Sequence, residues 1–472
     1  MKVQSNQFVN LADIAIADPS LQQAVSKGTQ NAVSKRMAAM FEVSEDHGEA
    51  LRQQAAAIKR ATLNHLPDLL EEAETRMQQN GVKVLWAENA AEARRHVLDI
   101  ARQHHVTRVA KSKSMVTEEI GLNDVLEQAG VITIETDLGE YILQLNQEAP
   151  SHIVAPVIHK TKASIEQIFV EQIGMPATQD AAEMVQYVRE RLREDFLTAE
   201  MGVSGGNFII AESGTVCLVA NEGNARMVTS LPPVHVAVVG IEKIVATLED
   251  YVTLTQVLPR SATGQKLTVY TQMINGPRRD HELDGPQHMY VVLVDNGRSD
   301  IYAGDYAEAL ACIRCGACLN ICPVYQTTGG HSYGWVYPGP IGSIVTPLLS
   351  GLENATPLPF ASSLCGACKQ ACPVDIDIPR MLLDLRHDLV ENGKTEGIWD
   401  LGLKTWTHAM SSPSRFELGA KVASLGARLY PFDNIPGPLR GWTRHRGIPP
   451  FASQSFRTWW KNRQPETDNT RE

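Results

Sequence analysis

The chain has 472 residues, of which 43% are hydrophobic, and a formal net charge of -11. A chain of this length rarely has a single hydrophobic core, so we expect two or three domains. The acidic balance argues against a nucleic acid as partner, because contacts to phosphates need a basic face. Because no apolar run is long enough to span a bilayer and no signal peptide is recognisable, we expect a soluble, cytoplasmic protein with no transmembrane segment.

Residues 1–70 are predicted to form N-terminal helices. Apolar residues recur at steps of three and four in 33–40 and 51–77, within sequence rich in Ala, Gln, Glu and Arg. The segment 6–26 is less regular. We expect these helices to pack beside the domain that follows.

From residue 82 the sequence alternates between strand and helix patterns. A strand at 82–86, a helix at 90–104 and a strand at 108–110 predict a first βαβ unit. The further predicted elements are helices at 118–128, 164–170 and 181–199 and strands at 131–135, 153–157, 206–212, 214–220, 234–239 and 288–294. This alternation predicts an α/β domain with a mainly parallel sheet over residues 71–298.

Two polar segments follow strands of this predicted sheet, where ligands usually bind. Lys111-Ser112-Lys113-Ser114 has two ammonium groups that suit an anion, and Glu212 and the segment 221–226 form the second polar group. The alternative is that these residues only build turns and helix caps. The glycine-rich segment 202–206 is predicted to precede a strand, which is the wrong context for a phosphate-binding loop.

Seven of the eight cysteines lie in two blocks. The first block has Cys312, Cys315, Cys318 and Cys322 before Pro323, and the second has Cys365, Cys368 and Cys372 before Pro373. A run of three cysteines at steps of three, followed by a Cys-Pro pair, is typical of ferredoxins with two [4Fe-4S] clusters. Structural zinc more often uses separated Cys or His pairs, and disulfides need an oxidising compartment. We therefore predict two [4Fe-4S] clusters.

In such ferredoxins the fourth cysteine of each block binds the other cluster. This pattern assigns Cys312, Cys315, Cys318 and Cys372 to cluster 1 and Cys322, Cys365 and Cys368 to cluster 2. Ser362 stands where a complete second block would have its first cysteine. The fourth ligand of cluster 2 is then a serine alkoxide, a partner residue, a substrate oxygen or Cys217, or the cluster lacks one iron. Cys217, in an apolar strand, is more simply a small buried residue.

The remaining sequence predicts two further regions. Residues 299–390 are expected to form an α-helical domain around both clusters, with helices at 301–311 and 375–388. Its glycine- and aromatic-rich loop, 329–342, is predicted to cover a cluster or to form a docking surface, and His331 within it is best explained as a structural histidine. Residues 391–472 are expected to form a helical extension with a tryptophan-rich basic edge and a tail that is disordered from about residue 464.

Taken together, these motifs resemble the lactate utilization protein B family. The resemblance rests on Lys111–Ser114, the segment 221–226, the seven-cysteine region and the sequence Pro-Gly-Pro-Leu-Arg-Gly-Trp at 436–442. It implies an α/β domain similar in fold to sugar-phosphate isomerases and CoA transferases. It also implies that the seven cysteines bind clusters, and that the protein transfers electrons within a complex oxidising L-lactate to pyruvate, together with companion subunits.

Two adjacent clusters suit a two-electron oxidation, because each cluster normally accepts one electron. The lactate chemistry is expected on a companion subunit; the alternative places L-lactate at the three-cysteine cluster. Two other function classes remain open. The first is an iron-sulfur scaffold or redox sensor. The second is an acyl- or phosphate-handling enzyme that uses the α/β domain, with Glu212 or Glu222 as nucleophile or base.

Overall fold

The computed structural model describes residues 2–394, 397–429, 452 and 455–463. The chain forms two compact units, Met1–Asn392 and Gly393–Glu472. Within the described ranges, none of the helices is long and apolar enough to cross a membrane. The sequence Pro-Gly-Pro-Leu-Arg-Gly-Trp at 436–442 and the predicted disordered tail lie outside the described residues. The division at about residues 70, 298 and 390 stays a prediction.

Four helices precede the first strand: α1 Phe8–Ile16, α2 Pro19–Met40, α3 Glu45–Asn64 and α4 Leu66–Gln79. The predicted irregularity of 6–26 is therefore wrong. Asp18 separates α1 from α2, and its carboxylate accepts hydrogen bonds from the backbone N–H groups of Ser20 and Leu21, which caps the second helix. Helix α2 packs beside the α/β domain, as expected. It also contacts the segment that carries the two cysteine blocks.

The main sheet has six parallel strands in the order β1-β10-β7-β4-β2-β3. Its strands are β1 Lys83–Ala87, β2 Arg108–Lys111, β3 Ile132–Glu135, β4 Met201–Ser204, β7 Val234–Gly240 and β10 His288–Val294. The helices that belong to this part are α5 Ala90–Gln103, α6 Met115–Glu119, α7 Leu122–Gln128, α8 Leu138–Asn146, α9 Lys162–Ile173, α10 Ala181–Thr198 and α11 Asn224–Ser230. Apolar side chains of β7 and β10 are buried on both faces, as in other parallel sheets covered by helices.

A second, four-stranded sheet has the order β8-β5-β6-β9. It consists of β5 Phe208–Ile210, β6 Thr215–Ala220, β8 Ile244–Val245 and β9 Tyr270–Ile274, with helix α12 Leu248–Ala262 following β8. Strands β5 and β6 pair antiparallel, as the turn at Ser213-Gly214 indicates. The predicted strands at 206–220 thus form a separate sheet.

Two predictions about strands are wrong. Residues 153–157 form bends and turns, because the backbone N–H groups of Val154 and Ala155 donate to Nδ1 of His152. Conversely, the segment around Gly202 contains strand β4 in the middle of the sheet. A Cβ at Gly202 would lie 1.9 Å from the carbonyl oxygen of Val228, so the glycine allows α11 to approach the sheet closely.

The cysteine-bearing segment is mostly helical. It contains α13 Arg298–Ala303, α14 Ala317–Ile321, α15 Pro323–Thr328, α16 Gly339–Ser350, α17 Ala367–Ala371 and α18 Ile378–Glu391. The predicted helix at 301–311 is interrupted at Gly304 and ends in a 3-10 turn, Ala307–Ala311. Helix α18 begins after Asp377, whose side chain accepts from the N–H of Arg380. An α/β domain followed by a helical cysteine-bearing domain confirms the predicted fold class.

The second unit contains α19 Gly397–Met410, α20 Pro413–Leu429 and α21 Phe456–Asn462. Its described portion is helical, in agreement with the predicted helical C-terminal extension. Trp459 and Trp460 are exposed on α21.

Candidate metal centre

The two cysteine blocks have the same backbone conformation. Arg314 and Gly316 have φ angles of 58° and 74°, and the corresponding Leu364 and Gly366 have φ angles of 54° and 81°. A non-glycine residue in the left-handed region is uncommon, so the same pattern at both sites marks a shared loop. In both blocks this loop surrounds a cysteine, Cys315 or Cys365, and leads into a five-residue helix, α14 or α17.

The matched loops also make a matched hydrogen bond. The N–H of Arg314 donates to Sγ of Cys312 over 3.4 Å, and the N–H of Leu364 donates to Oγ of Ser362 over 3.1 Å. Ser362 therefore occupies in the second block the position that Cys312 occupies in the first. This places a hydroxyl oxygen where the first block has a thiol.

Four sulfurs meet at one small cavity between the blocks. Its lining includes Cys312, Cys315, Cys318 and Cys372. Apolar side chains complete the wall, among them Ile153, Ile341 and Ile376. The structure thus brings Cys372, which lies more than fifty residues along the chain, to the three cysteines of the first loop.

These thiols are difficult to ionise in the protein alone. Burial, together with the nearby Cys372, raises the pKa of Cys315 to about 12. Burial likewise raises the pKa of Cys372 to about 11. Because iron binds thiolates and its positive charge offsets their burial, four such thiols around one dry cavity fit an iron-sulfur cluster.

The other three cysteines form a second group at the same domain. Burial raises the pKa of Cys368 to about 12, with Cys322 and Cys365 adding to the effect. Cys365 is exposed, and the backbone N–H of Ala367 lowers its pKa by donating a hydrogen bond. This group therefore opens towards solvent on the side of Cys365.

Two arginines from the N-terminal helices reach the cysteine blocks. Arg36 of α2 donates from Nη2 to the carbonyl oxygen of Ala371 over 3.0 Å, and Arg52 of α3 donates from Nη2 to that of Cys372 over 2.8 Å. Both arginines are buried. They hold positive charge beside a site whose loaded form is negative.

Apart from the exposed His331, the glycine- and aromatic-rich loop 329–342 is buried, so it is not a docking surface. Tyr333 in this loop is fully buried, and its hydroxyl has no hydrogen-bond partner among the described residues. Cys322 and Cys318 are close enough to raise the pKa of Tyr333 beyond the effect of burial. A cluster sulfur would accept the hydrogen bond that this hydroxyl lacks. His331 is exposed, and its Nε2 lies 2.8 Å from the carbonyl oxygen of Ala149.

A buried ion network joins the first cysteine loop to the main sheet. Arg298 donates two hydrogen bonds to Glu119, over 2.9 and 2.8 Å, and one to Glu242 over 2.6 Å. Tyr337 donates to Glu119 over 2.6 Å, and the guanidinium of Arg314 lies 4.4 Å above the Tyr337 ring. Opposite charges and hydrogen bonds compensate the burial of these groups.

The predicted anion-binding residues separate into two sets. Lys111 is fully buried, and its ammonium pairs with Glu118 at 2.7 Å and Glu135 at 2.5 Å, so it is not available to a ligand. Lys113 lines a cavity of about 360 Å³ at the carboxyl edge of the sheet, and its ammonium donates to the carbonyl oxygen of Ile153.

The two predicted glutamates also separate. Glu222 lines the cavity, and burial raises its pKa to about 7. Glu212 is exposed and caps α12, where its carboxylate accepts from the N–H of Leu248 over 2.7 Å. The geometry therefore gives Glu212 a structural role.

Sequence reasoning missed two cations of the same cavity, Lys243 and Arg314. Lys243 lies three residues beyond the end of strand β7, and a position shortly after a strand is also what singled out Lys111–Ser114. Arg314 lies between Cys312 and Cys315, where the cluster motif gave no indication that its side chain would line a cavity.

Comparison with known proteins supports these observations. Residues 70–294 match the LUD domain, 308–376 the 4Fe-4S dicluster domain, and 386–465 the C-terminal domain of lactate utilisation protein B. Lactate utilization protein B of Shouchella clausii is 43% identical over 473 residues, covering 99% of both chains. That of Oceanobacillus iheyensis is 42% identical, covering 98% of both chains.

The chain belongs to the lactate utilization protein B family. The resemblance drawn from the motifs is therefore confirmed. A further relative from Escherichia coli, described as "Uncharacterized electron transport protein YkgF", is 40% identical and covers 99% of this chain and 98% of its own. The dicluster match to 308–376 includes all seven cysteines of the two blocks, which supports iron-sulfur clusters as the cofactor.

Proposed function

We propose that this protein is the iron-sulfur electron-transfer subunit of a complex that oxidises L-lactate to pyruvate. One observation carries the proposal: seven cysteines lie in two adjacent blocks that share a loop conformation, and Cys372 of the second block lines one cavity with three cysteines of the first. The family name and the electron transport role printed for the Escherichia coli relative support the function class. Companion subunits are part of the proposal.

In the proposed ligand assignment, Cys312, Cys315, Cys318 and Cys372 bind one [4Fe-4S] cluster, and Cys322, Cys365 and Cys368 bind the second. The cavity lined by all four sulfurs of the first set supports the crossed arrangement. Ser362 is proposed as the residue that faces the open position of the second cluster, because it matches Cys312 in its loop. When bound, the clusters supply one-electron reduction.

The residues of the chain prepare this site in distinct ways. Arg36 and Arg52 place charge near the first group, and Tyr333 offers a hydroxyl donor between the groups. Apolar side chains such as Ile341 keep water from the first group, whereas Cys365 is exposed. This difference in solvent exposure between the two groups suits electron exchange with another protein at the second cluster.

The experiment is anaerobic iron and sulfide analysis of the full chain, followed by EPR spectroscopy after stepwise reduction. We expect about eight iron atoms per chain. On stepwise reduction we expect two clusters to become reduced one after the other and to give EPR signals that interact. Zinc in place of iron, or clusters that stay oxidised under strong reductant, would contradict an electron carrier. The second result would favour a scaffold or sensor instead.

A further inference from the structure

We propose that the cavity at the carboxyl edge of the main sheet binds a small organic carboxylate, of the hydroxy-acid or keto-acid class, directly beside the first cysteine loop. The identity of the ligand rests on the proposed function, and the existence of the site rests on the geometry below. The proposal gives the LUD domain a ligand-binding role of its own.

The cavity connects the two parts of the first unit. Its lining contains Lys113 after β2, Lys243 after β7 and Ala220 at the end of β6, which are residues of the α/β domain. It also contains Ile313 and Arg314, which lie between Cys312 and Cys315. A ligand in this cavity would therefore contact both the sheet edge and the loop of the first cysteine block.

The size and position of the cavity suit a small molecule. Its volume of about 360 Å³ falls in the usual range of ligand pockets. It lies where open α/β sheets bind their ligands, at the carboxyl ends of the strands.

The lining contains three cations, Lys113, Lys243 and Arg314, of which Lys113 already donates to the carbonyl oxygen of Ile153. Lys243 Nζ lies 3.8 Å, and Arg314 Nη2 lies 3.7 Å, from Oε1 of Glu242, so both are beyond hydrogen-bond length of their shared carboxylate. The side chain of Arg314 is only 10% exposed, and its Nη1 has no hydrogen-bond partner among the described residues. A buried guanidinium with a free donor favours an oxyanion that accepts from it.

The acidic residues of the cavity are engaged by neighbouring backbone groups. Asp137 caps α8 by accepting from the N–H groups of Gly139 and Glu140, and Glu222 accepts from that of Leu138 over 3.3 Å. The remaining polar lining includes neutral donors and acceptors such as Asn207. A hydroxyl or keto oxygen next to a carboxylate would match such a mixed lining.

The test uses the anaerobic, cluster-loaded full chain. L-lactate, pyruvate and inorganic phosphate are titrated separately by isothermal calorimetry, and the EPR spectrum of the reduced protein is recorded with and without each. We expect saturable binding of L-lactate or pyruvate and a changed spectrum of the first cluster, because the ligand lies beside its loop. Binding of phosphate alone, or of none of the three, would overturn the proposal.

Two variants and one control locate the site. Lys243→Met removes a cation, and we expect at least tenfold weaker carboxylate binding. Ala220→Phe fills the cavity without changing its charge and is expected to abolish binding. The control is Lys162→Met, an exposed lysine whose ammonium donates to a backbone carbonyl elsewhere on the domain. If both cavity variants retain their iron and bind like the wild type, the site is wrong.

The outcome can be separated from the fate of the proposed function. Iron content and reducibility are measured on the same samples before ligand is added. Samples without clusters would sink the electron-transfer proposal. Samples with two reducible clusters that bind no carboxylate would sink only the assignment of this cavity.

Discussion

The two cysteine blocks share one backbone design but lie in different surroundings. The first block meets the α/β domain through Arg314, which lies 3.7 Å from Glu242, and it is enclosed by apolar side chains and helix α2. The second block has Ser362 in place of a cysteine and leaves Cys365 exposed. A repeated loop therefore supplies two sites with the same local geometry and different access to solvent and charge.

This difference indicates a division of roles. Burial and nearby cations both act on a cluster's reduction potential, whereas exposure governs which molecules reach it. The first site is shielded from solvent and lies beside the carboxyl edge of the sheet. The second group is exposed at Cys365, so the proposed electron-transfer function predicts that a partner subunit or another electron carrier approaches there.

The largest effect on the difference between the two cysteine groups is expected when Cys372 is removed. Although it belongs to the second block in sequence, the structure groups it with Cys312 and its neighbours. We expect Cys372→Ser to lose about half of the iron, and to lose the same EPR signal that Cys312→Ser loses. Iron analysis and EPR of both variants make the measurement.

Two further variants act as controls for this experiment. Cys365→Ser should affect the other signal, and Cys217→Ser, in buried strand β6, should leave the iron content unchanged. If Cys372→Ser and Cys365→Ser lose the same signal, the crossed assignment is wrong.

The second largest effect is expected where the first block joins the sheet. Arg298→Met leaves Glu119 and Glu242 buried without their main cation, which costs about 3–5 kcal/mol of the free energy of unfolding. Anaerobic denaturant unfolding of the cluster-loaded protein measures this loss.

The control is Arg380→Met, beside the second block. Arg380 is 45% exposed and pairs with Glu308 and Asp384 in solvent. Its removal should cost under about 1 kcal/mol. Equal losses for the two variants would contradict the idea that the first block is the one fixed to the sheet.

The sequence predicted features whose signals are local. The cysteine spacing is a property of a few turns of chain, and long apolar strands such as 288–294 identify themselves by composition. The carboxyl-edge location of polar residues followed from the parallel sheet. These elements appear in the structure as expected.

Features that depend on distant partners were out of reach. Nothing near Lys111 in sequence showed that Glu135 would pair with it and leave Lys113 to line the cavity. Strand β4 was missed because Gly202 resembles a turn residue until the carbonyl of Val228 approaches it. Arg314 and Lys243 come from segments about seventy residues apart, so only the fold shows that they share a cavity.

Completing the second block tests whether Ser362 holds the position equivalent to Cys312. We expect Ser362→Cys to supply a fourth thiolate, so that the second cluster keeps its iron on exposure to air for about ten times longer. The measurement is the decay of visible absorbance together with the appearance of a three-iron EPR signal. Ser363→Cys is the matched control, because it adds a thiol one residue away. Equal protection by both variants would show that the added thiol acts without the matched loop position.

The smallest predicted effect concerns the charge that distinguishes the first block. Arg36 lies close enough to Cys315 and Cys372 for their charges to act on its own pKa. Reduction adds negative charge to a cluster, so Arg36→Met should lower the potential of the first cluster by on the order of 50 mV. An EPR-monitored redox titration measures the shift.

Arg60→Met is the matched control for this charge effect. Arg60 also donates to a backbone carbonyl of the second block, that of Asp375, over 3.4 Å, but its side chain is 56% exposed. Solvent screens its charge, so its removal should leave both potentials nearly unchanged. A shift of equal size in the two variants would mean that burial does not separate the electrostatics of the blocks, and the distinction between an enclosed and an exposed cluster would then rest on solvent access alone.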